Sequence, residues 1–150
     1  MINVVFKGRI KNRKIIEEFV NEIIDDLFPR AFKREIFVGI YFTTILDDGV
    51  YGYATCGDND SHLIEVAKYV FQDGEWVECT AQEIAATLVH ELVHIRQYIR
   101  RELNADMTRW KGQVIPYGPR GGLKIPYTRQ PWEVEAYELE KEVMEARWVH

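Results

Sequence analysis

The sequence predicts a single α+β domain covering residues 1–150. A chain of 150 residues is long enough for one hydrophobic core and too short for two. Its composition, with 47% hydrophobic and 29% charged residues, is that of an ordinary folded protein. The spacing of apolar residues then changes along the chain in the order strand, helix, three strands, helix, loop, helix, which is an α+β layout.

The N-terminal segment predicts a short strand followed by an amphipathic helix. Residues 2–6 (INVVF) form an apolar run that is closed by Gly8. From Lys14 onward, apolar residues recur every three or four positions with charged residues between them, and Pro29 ends the pattern. The apolar positions of this helix are Ile15, Ile16, Phe19, Ile23, Ile24 and Leu27.

Three strands are predicted over residues 36–45, 51–56 and 62–69. The first is rich in β-branched and aromatic residues, and the sequence DDG that follows it favours a turn. Because the turns between the three segments are short, consecutive strands are expected to pair as hairpins or as a meander. The expected sheet is therefore small and mostly antiparallel.

Two more helices follow, separated by a long loop. Thr80 and Glu83 have the spacing of a capping box, so a helix should begin at Thr80 and run to about Arg101. Residues 104–130 combine glycines and prolines with aromatic residues, which indicates an ordered loop with room for a short hairpin. Pro131 suits the first position of a C-terminal helix that is rich in glutamate.

Composition and charge argue against several classes of protein. The net charge of -5 does not suggest the basic surface that nucleic-acid binding needs. Cys56 and Cys79 have neither C-x-x-C spacing nor a disulfide framework around them, so we expect thiols. No apolar stretch approaches the ~20 residues of a membrane span, and the N-terminus does not resemble a signal peptide. We therefore expect a cytoplasmic protein without a membrane partner, and its oligomeric state stays open.

The segment TLVHELVHIRQY contains the pattern H-E-x-x-H. Residues four apart on a helix point the same way, so His90 and His94 can converge on one metal ion. Random placement of the 4 histidines and 16 glutamates would produce this pattern in about one of 100 such chains. A helical wheel places an apolar stripe beside the histidines, made of Ile84, Leu88, Leu92, Ile95 and Ile99.

Each residue of this pattern has a chemical role in a zinc site. Neutral imidazole binds zinc well, and a catalytic zinc keeps one coordination position for water. The metal lowers the pKa of that water to about 7. Glu91, at the border between the stripe and the histidines, can then take the proton and pass it to a leaving amine. The pattern predicts one zinc ion, with Glu91 as general base and acid.

A catalytic zinc site needs a third protein ligand. The arrangement H-E-x-x-H-x-x-G-x-x-H is absent, so we expect a carboxylate from the C-terminal helix. In the segment PWEVEAY, Glu133 points beside the apolar face of the helix and Glu135 lies at the opposite margin. Glu133 is the first choice as ligand and Glu135 the second, whereas Glu138, Glu142 and Glu145 should face solvent.

Together, the two segments resemble the gluzincin metallopeptidases. In that family the third zinc ligand is a glutamate of a following helix, often in the pattern E-x-x-A-D. The resemblance maps this ligand onto Glu133 and puts Tyr137 where the family usually has an aspartate. That aspartate commonly orients a zinc histidine, so the resemblance leaves open which residue orients His90 or His94.

The whole chain is also similar to small single-domain zincins, including the SprT-like group and metallopeptidases encoded by phages. This resemblance implies a minimal zincin-like fold, in which a small sheet packs with an N-terminal helix, the H-E-x-x-H helix and a C-terminal helix. It also implies zinc-dependent hydrolysis of peptide bonds, with a peptide or protein as substrate.

Two further roles are expected from chemistry and from the zincin analogy. In zincins the edge strand before the active helix binds extended substrate, and an ordinary sheet strand is the alternative here. The candidates for that strand are Leu63, Ile64, Glu65 and Val66. A phenol in the loop between the ligand helices could stabilise the oxyanion formed when water attacks a carbonyl. The candidates for that role are Tyr117 and Tyr127.

Two other functions are kept as alternatives. The domain could hold the metal and act as a binding or inhibitory module, although the presence of Glu91 favours an enzyme. It could also be a SprT-like protease that acts on DNA-bound proteins, although the negative net charge argues against this.

Overall fold

A computed structural model describes residues 1–29, 35–104 and 106–149. The described residues form three α-helices and eight β-strands, so the predicted α+β class is confirmed. In chain order the elements are β1 (Ile2–Lys7), α1 (Arg13–Leu27), β2 (Ile36–Thr43), β3 (Gly52–Cys56), β4 (Ser61–Ala67), β5 (Tyr69–Gln72), β6 (Glu75–Glu78), α2 (Ala81–Ile99), β7 (Arg109–Trp110), β8 (Gln113–Val114) and α3 (Pro131–Arg147).

The three helices begin and end close to their predicted positions. The predicted capping box opens α2, where the Glu83 backbone N–H donates to Thr80 Oγ1 at 3.1 Å and the Thr80 N–H donates to Glu83 Oε1 at 2.9 Å. Pro131 is the first residue of α3, where a missing N–H costs no hydrogen bond. Within the described ranges, no helix has the length and apolar character needed to cross a bilayer.

The main sheet has four strands in the order β1, β2, β4, β3. β2 is parallel to both β1 and β4, whereas β3 and β4 are antiparallel. The expected hairpin of β3 with β4 is confirmed, but the expected pairing of β2 with β3 is wrong. The main sheet is mixed, and the β5–β6 and β7–β8 pairs are antiparallel hairpins.

The apolar content of the strands explains this order. β1 and β2 are joined through α1, and a helical connection of that kind permits parallel pairing. β4 carries Ile64 and Val66, which are 0% and 1% exposed, and it occupies the interior of the sheet. β3, with the sequence GYATC, has small and polar residues that are at most partly buried, so it suits the edge.

The position of β4 corrects one prediction about the site. Its backbone pairs with β2 on one side and with β3 on the other, so it offers no free edge to a substrate. The proposed substrate strand at Leu63, Ile64, Glu65 and Val66 is therefore wrong. In the described part of the chain, the edge strand on this side of the sheet is β3.

α2 is the central element of the fold. It packs against β3 and β4 on one side and against α1 and α3 on others. Its predicted apolar stripe is buried throughout, at Ile84, Leu88, Leu92, Ile95 and Ile99. This stripe and the buried face of α1 pack with residues of the main sheet in one hydrophobic core, and their removal from water stabilises the domain.

The long loop before α3 has a small core of its own. Leu103, Ile115 and Trp132 are buried together, and the rings of Trp110 and Trp132 lie 6.1 Å apart between centroids. β7 and β8 form a hairpin inside this loop. The prediction of an ordered loop with a hairpin is confirmed, and Trp132 joins the loop to the start of α3.

The two cysteines are free thiols, as expected. Burial raises the pKa of Cys56 and of Cys79 to about 11 in each case. Both thiols are therefore protonated near neutral pH, which makes them weak nucleophiles and weak metal ligands.

Gly52 lets β3 approach α2 closely. A methyl group at this position would lie 2.6 Å from Thr87 Cγ2 and 3.0 Å from the Glu65 backbone oxygen. We expect Gly52→Ala to lower the free energy of unfolding by about 1–3 kcal/mol, because the added carbon overpacks this contact. Urea unfolding followed by circular dichroism measures the change. Gly122→Ala is the matched control, since its methyl group would meet nothing within 4 Å, and equal stability of the two variants would contradict the close approach.

Candidate metal site

The H-E-x-x-H segment lies in the middle of α2, with the apolar stripe toward the core and the adjacent face toward a cleft. His90, Glu91 and His94 all line this cleft. His90 and Glu91 are 7% and 8% exposed, and His94 is partly buried. The capped, core-packed helix therefore holds three ionisable side chains in a mostly buried position.

α3 brings a carboxylate to the two histidines. Glu133 lies in its first turn and is buried. Trp132, fixed in the core of the loop, sets where the helix begins, and the fully buried Ala136 leaves room for α3 to pack closely. The first turn of α3 is thus fixed next to α2.

One oxygen of Glu133 contacts both histidines. Its Oε1 is 2.9 Å from His90 Nε2 and 2.7 Å from His94 Nε2. The two Nε2 atoms are 3.2 Å apart. These three side chains offer ligand atoms that all lie within 4.8 Å of one another, and they are the one such group found among the described residues. The first-choice ligand, Glu133, is therefore next to both histidines.

The geometry of this group fits a zinc ion. Two imidazoles and one carboxylate are a donor set of catalytic zinc sites. Ligand atoms at ~2.0–2.1 Å from a tetrahedral ion lie about 3.3 Å from one another. The three observed separations, 2.9 Å, 2.7 Å and 3.2 Å, are slightly shorter because the side chains are hydrogen-bonded to each other. Small outward movements of the side chains would admit the ion.

Glu135 points away from this group. Its Oε1 accepts a hydrogen bond from Gln97 Nε2 at 3.1 Å, and its Oε2 lies 3.9 Å from Lys111 Nζ. The structure therefore separates the two glutamates, with Glu133 beside the histidines and Glu135 on the side of the long loop.

The histidines and Glu133 change each other's protonation. Burial lowers the pKa of His90, but the carboxylates of Glu133 and Glu140 outweigh burial and raise it to about 9. The pKa of His94 is also raised, because the contact with Glu133 outweighs burial. Burial raises the pKa of Glu133, but the two histidines outweigh burial and lower it to about 2. Near neutral pH the carboxylate of Glu133 is thus ionised and accepts hydrogen bonds from the two imidazoles.

Glu91 lies beside the group without belonging to it. Burial raises the pKa of Glu91, and the charges of His94 and His90 partly offset that rise. A methyl group on Gly52 would lie 3.6 Å from Glu91 Cγ, so the side chain runs between β3 and α2. Its position in the cleft suits proton exchange with a molecule bound next to the histidines.

Each histidine has a second contact, at its other ring nitrogen. His94 Nδ1 is 2.9 Å from Gln97 Oε1, and His90 Nδ1 is 3.6 Å from Glu140 Oε1. No sequence pattern predicted a role in the site for Gln97 or Glu140. Helical spacing could have indicated both residues, because Gln97 follows His94 by one helical turn and Glu140 follows Glu133 by two.

The two tyrosine candidates lie in different places. Tyr127 lines the cleft, and its hydroxyl is 3.2 Å from that of Tyr137, whose ring packs 4.4 Å from the ring of His90. Burial raises the pKa of Tyr127, and the contacts with Tyr137 and Glu133 raise it further, so the phenol stays protonated. Tyr117 donates to a backbone carbonyl of the long loop at 2.7 Å and does not line the cleft.

The cleft has a volume of about 910 Å³ and runs along α2. One wall is β3, with Gly52, Tyr53 and Ala54, and the opposite wall is formed by α3 and the long loop. This volume is in the range of ligand sites in proteins. An extended chain can add to the free edge of a strand, and β3 offers that edge beside the histidines.

Comparisons of this chain with protein-family models, with curated proteins and with solved structures find no match. The functional conclusion therefore depends on the geometry of His90, Glu91, His94 and Glu133.

The contact of His90 with Glu133 predicts how the stability of the metal-free protein changes with pH. A pKa of His90 raised from 6.5 to about 9 contributes stability below pH 6.5 that is lost as the pH rises through 9. The lowered pKa of Glu133 contributes stability above pH 4.5 that is lost as the pH falls through about 2. We therefore expect the chelator-treated wild type to lose stability between pH 6.5 and 9 relative to Glu133→Gln.

Urea unfolding at several pH values measures this difference, and proton NMR of the imidazoles reports the pKa of His90 directly. Glu135→Gln is the control, because Glu135 does not contact either histidine and the variant should keep the wild-type pH profile. Parallel profiles for the wild type and Glu133→Gln would contradict the inferred ion pair.

Proposed function

We propose that this protein is a zinc-dependent metallopeptidase that hydrolyses peptide bonds. The observation that carries the proposal is the convergence of His90, His94 and Glu133 next to the buried Glu91, inside a cleft bounded by an open strand edge. This arrangement combines three metal ligands, a proton carrier and a place for an extended chain.

The three ligands would hold one zinc ion and leave a fourth position free for reactants. A zinc ion there would supply Lewis acidity, which polarises the peptide carbonyl and lowers the pKa of a water molecule. His90 and His94 contribute neutral donors and Glu133 one negative charge. The net charge of the loaded centre would therefore stay positive, which favours attack on a carbonyl.

Glu91 is the proposed general base and acid. It takes a proton from the attacking water and gives that proton to the nitrogen of the leaving amine, so that it is regenerated in each cycle. Burial raises the pKa of Glu91, so its carboxyl group keeps the proton between the two transfers and can donate it to the leaving amine.

Substrate would bind as an extended strand along β3. The main-chain groups on the free edge of β3 can pair with the substrate backbone, which gives binding that depends little on sequence. Tyr127, whose phenol is protonated and faces the cleft, can donate a hydrogen bond to the oxyanion. The cleft walls that α3 and the loop contribute would then select among side chains.

The third ligand is tested by metal analysis of two matched variants. We expect the wild type and Glu135→Ala each to contain one zinc ion after saturation and desalting. Glu133→Ala should lose at least about 100-fold in zinc affinity, more than the ~10–100-fold typical of a residue that only contacts a ligand. Mass spectrometry of the metal content and chelator competition measure both. Retention of zinc in Glu133→Ala with loss in Glu135→Ala would reverse the assignment.

The reaction is tested by Glu91→Gln, which keeps the shape of the side chain and removes its basicity. We expect stoichiometric zinc and a fall of ~10²–10⁴-fold in the cleavage of fluorescently labelled casein. Glu138→Gln, on the outer face of α3, is the control and should keep full activity. Full activity of Glu91→Gln would sink the mechanism, and a wild type that binds zinc but cleaves nothing would favour the binding-module alternative.

A further inference from the structure

Gln97 is a polar side chain with no exposed surface, located one helical turn after His94. Its amide makes three hydrogen bonds. Oε1 is 2.9 Å from His94 Nδ1, and Nε2 donates to the Trp132 backbone oxygen at 2.9 Å and to Glu135 Oε1 at 3.1 Å. Both N–H groups and the carbonyl of this buried amide are therefore used.

These partners permit one orientation of the amide. The Trp132 carbonyl and the Glu135 carboxylate oxygen can only accept hydrogen bonds, so the NH₂ group must face them. Oε1 must then face His94, and an amide oxygen can only accept, so the hydrogen of that contact belongs to His94 Nδ1. His94 Nε2 is thereby left as the nitrogen that can offer a lone pair to a metal.

We propose that Gln97 is a positioning residue of the metal site, which fixes the tautomer and ring orientation of His94 and the register of α3. This proposal rests on the proposed zinc site. The position where the family resemblance expects an aspartate holds Tyr137, which packs on the ring of His90 and cannot do this for His94. In this chain the neutral amide of Gln97, on α2 itself, orients His94.

The same amide links the two helices that carry ligands. The carbonyl it contacts belongs to Trp132, directly before Glu133, so the bond sets how far along α2 the first turn of α3 lies. Glu135 extends the chain of contacts to Lys111 in the long loop, with Oε2 3.9 Å from Nζ. Ring orientation and helix register are therefore coupled through one side chain.

The first test is Gln97→Leu, which keeps approximate volume and removes all three hydrogen bonds. We expect zinc affinity, measured by competition with a chromophoric chelator, to fall by ~10–100-fold. In the zinc-loaded wild type, the His94 Nδ1–H should give a downfield proton NMR signal that exchanges slowly with water, and Gln97→Leu should lose that signal. Gln82→Leu, an exposed glutamine near the start of α2, is the matched control and should change neither.

A second pair of variants keeps the test decisive if Gln97→Leu does not fold. Gln97→Glu can still accept from His94 Nδ1, but its carboxylate faces the Trp132 carbonyl and the Glu135 carboxylate, which repel it. Combining it with Glu135→Gln replaces one repelling group with an amide that can donate. We expect Gln97→Glu alone to weaken zinc binding, and the double variant to regain at least half of the lost affinity on a logarithmic scale.

The outcomes separate this inference from the proposed function. Wild-type zinc affinity together with a protected His94 Nδ1–H signal in Gln97→Leu would overturn the positioning role, even if casein is cleaved normally. Absence of rescue in the double variant would also overturn it. Weakened zinc binding and the lost signal, in a protein whose wild type binds zinc but hydrolyses nothing, would support the positioning role and remove the peptidase proposal.

Discussion

The contact between α2 and α3 is the constraint on which the candidate site depends. His90 and His94 belong to one helix, but Glu133 lies 43 residues after His90 and reaches it only through helix packing. Trp132 in the core of the loop, Ala136 in the main core and the Gln97 amide together fix the first turn of α3. A slip of α3 by one residue would turn Glu133 by about 100° and break the group apart.

α2 contributes residues both to the core and to the cleft. The helical spacing of its apolar and ionisable residues places them on adjacent faces. The apolar stripe removes a broad face from water, while His90, Glu91 and His94 lie on the adjacent arc where burial is unfavourable for charge. The ionised Glu133 offsets part of that cost by holding both imidazoles. The burial of these ionisable side chains is therefore tolerated for two reasons. The apolar stripe of α2 packs well in the core, and the negative charge of Glu133 lies next to the two imidazoles.

Features that depend on local spacing could be predicted from the sequence, and features that depend on long-range packing could not. The capping box at Thr80, Pro131 at the start of α3 and the shared direction of His90 and His94 follow from local spacing. Glu133, 43 residues after His90, was chosen because a zinc site needs a third ligand and because the wheel and the family resemblance both favour it. Strand order depends on which segments are most apolar, so β4 lies in the interior of the sheet and the predicted substrate edge at residues 63–66 was wrong. Gln97 and Glu140 were missed because a polar residue on a helix shows its role only once its partner helix is in place.

The walls of the cleft belong to two different hydrophobic cores. One wall is built on the main core, and the other on the separate small core of the long loop. Leu103 and Met107 line the cleft from the loop, and they pack with Ile115 and Trp132 instead of with the main core. Changes in the sequence or length of the exposed parts of this loop would therefore leave the main sheet and α2 intact. In the proposed peptidase, α2 and α3 would supply the groups that react, and the long loop would supply part of the wall that selects the substrate.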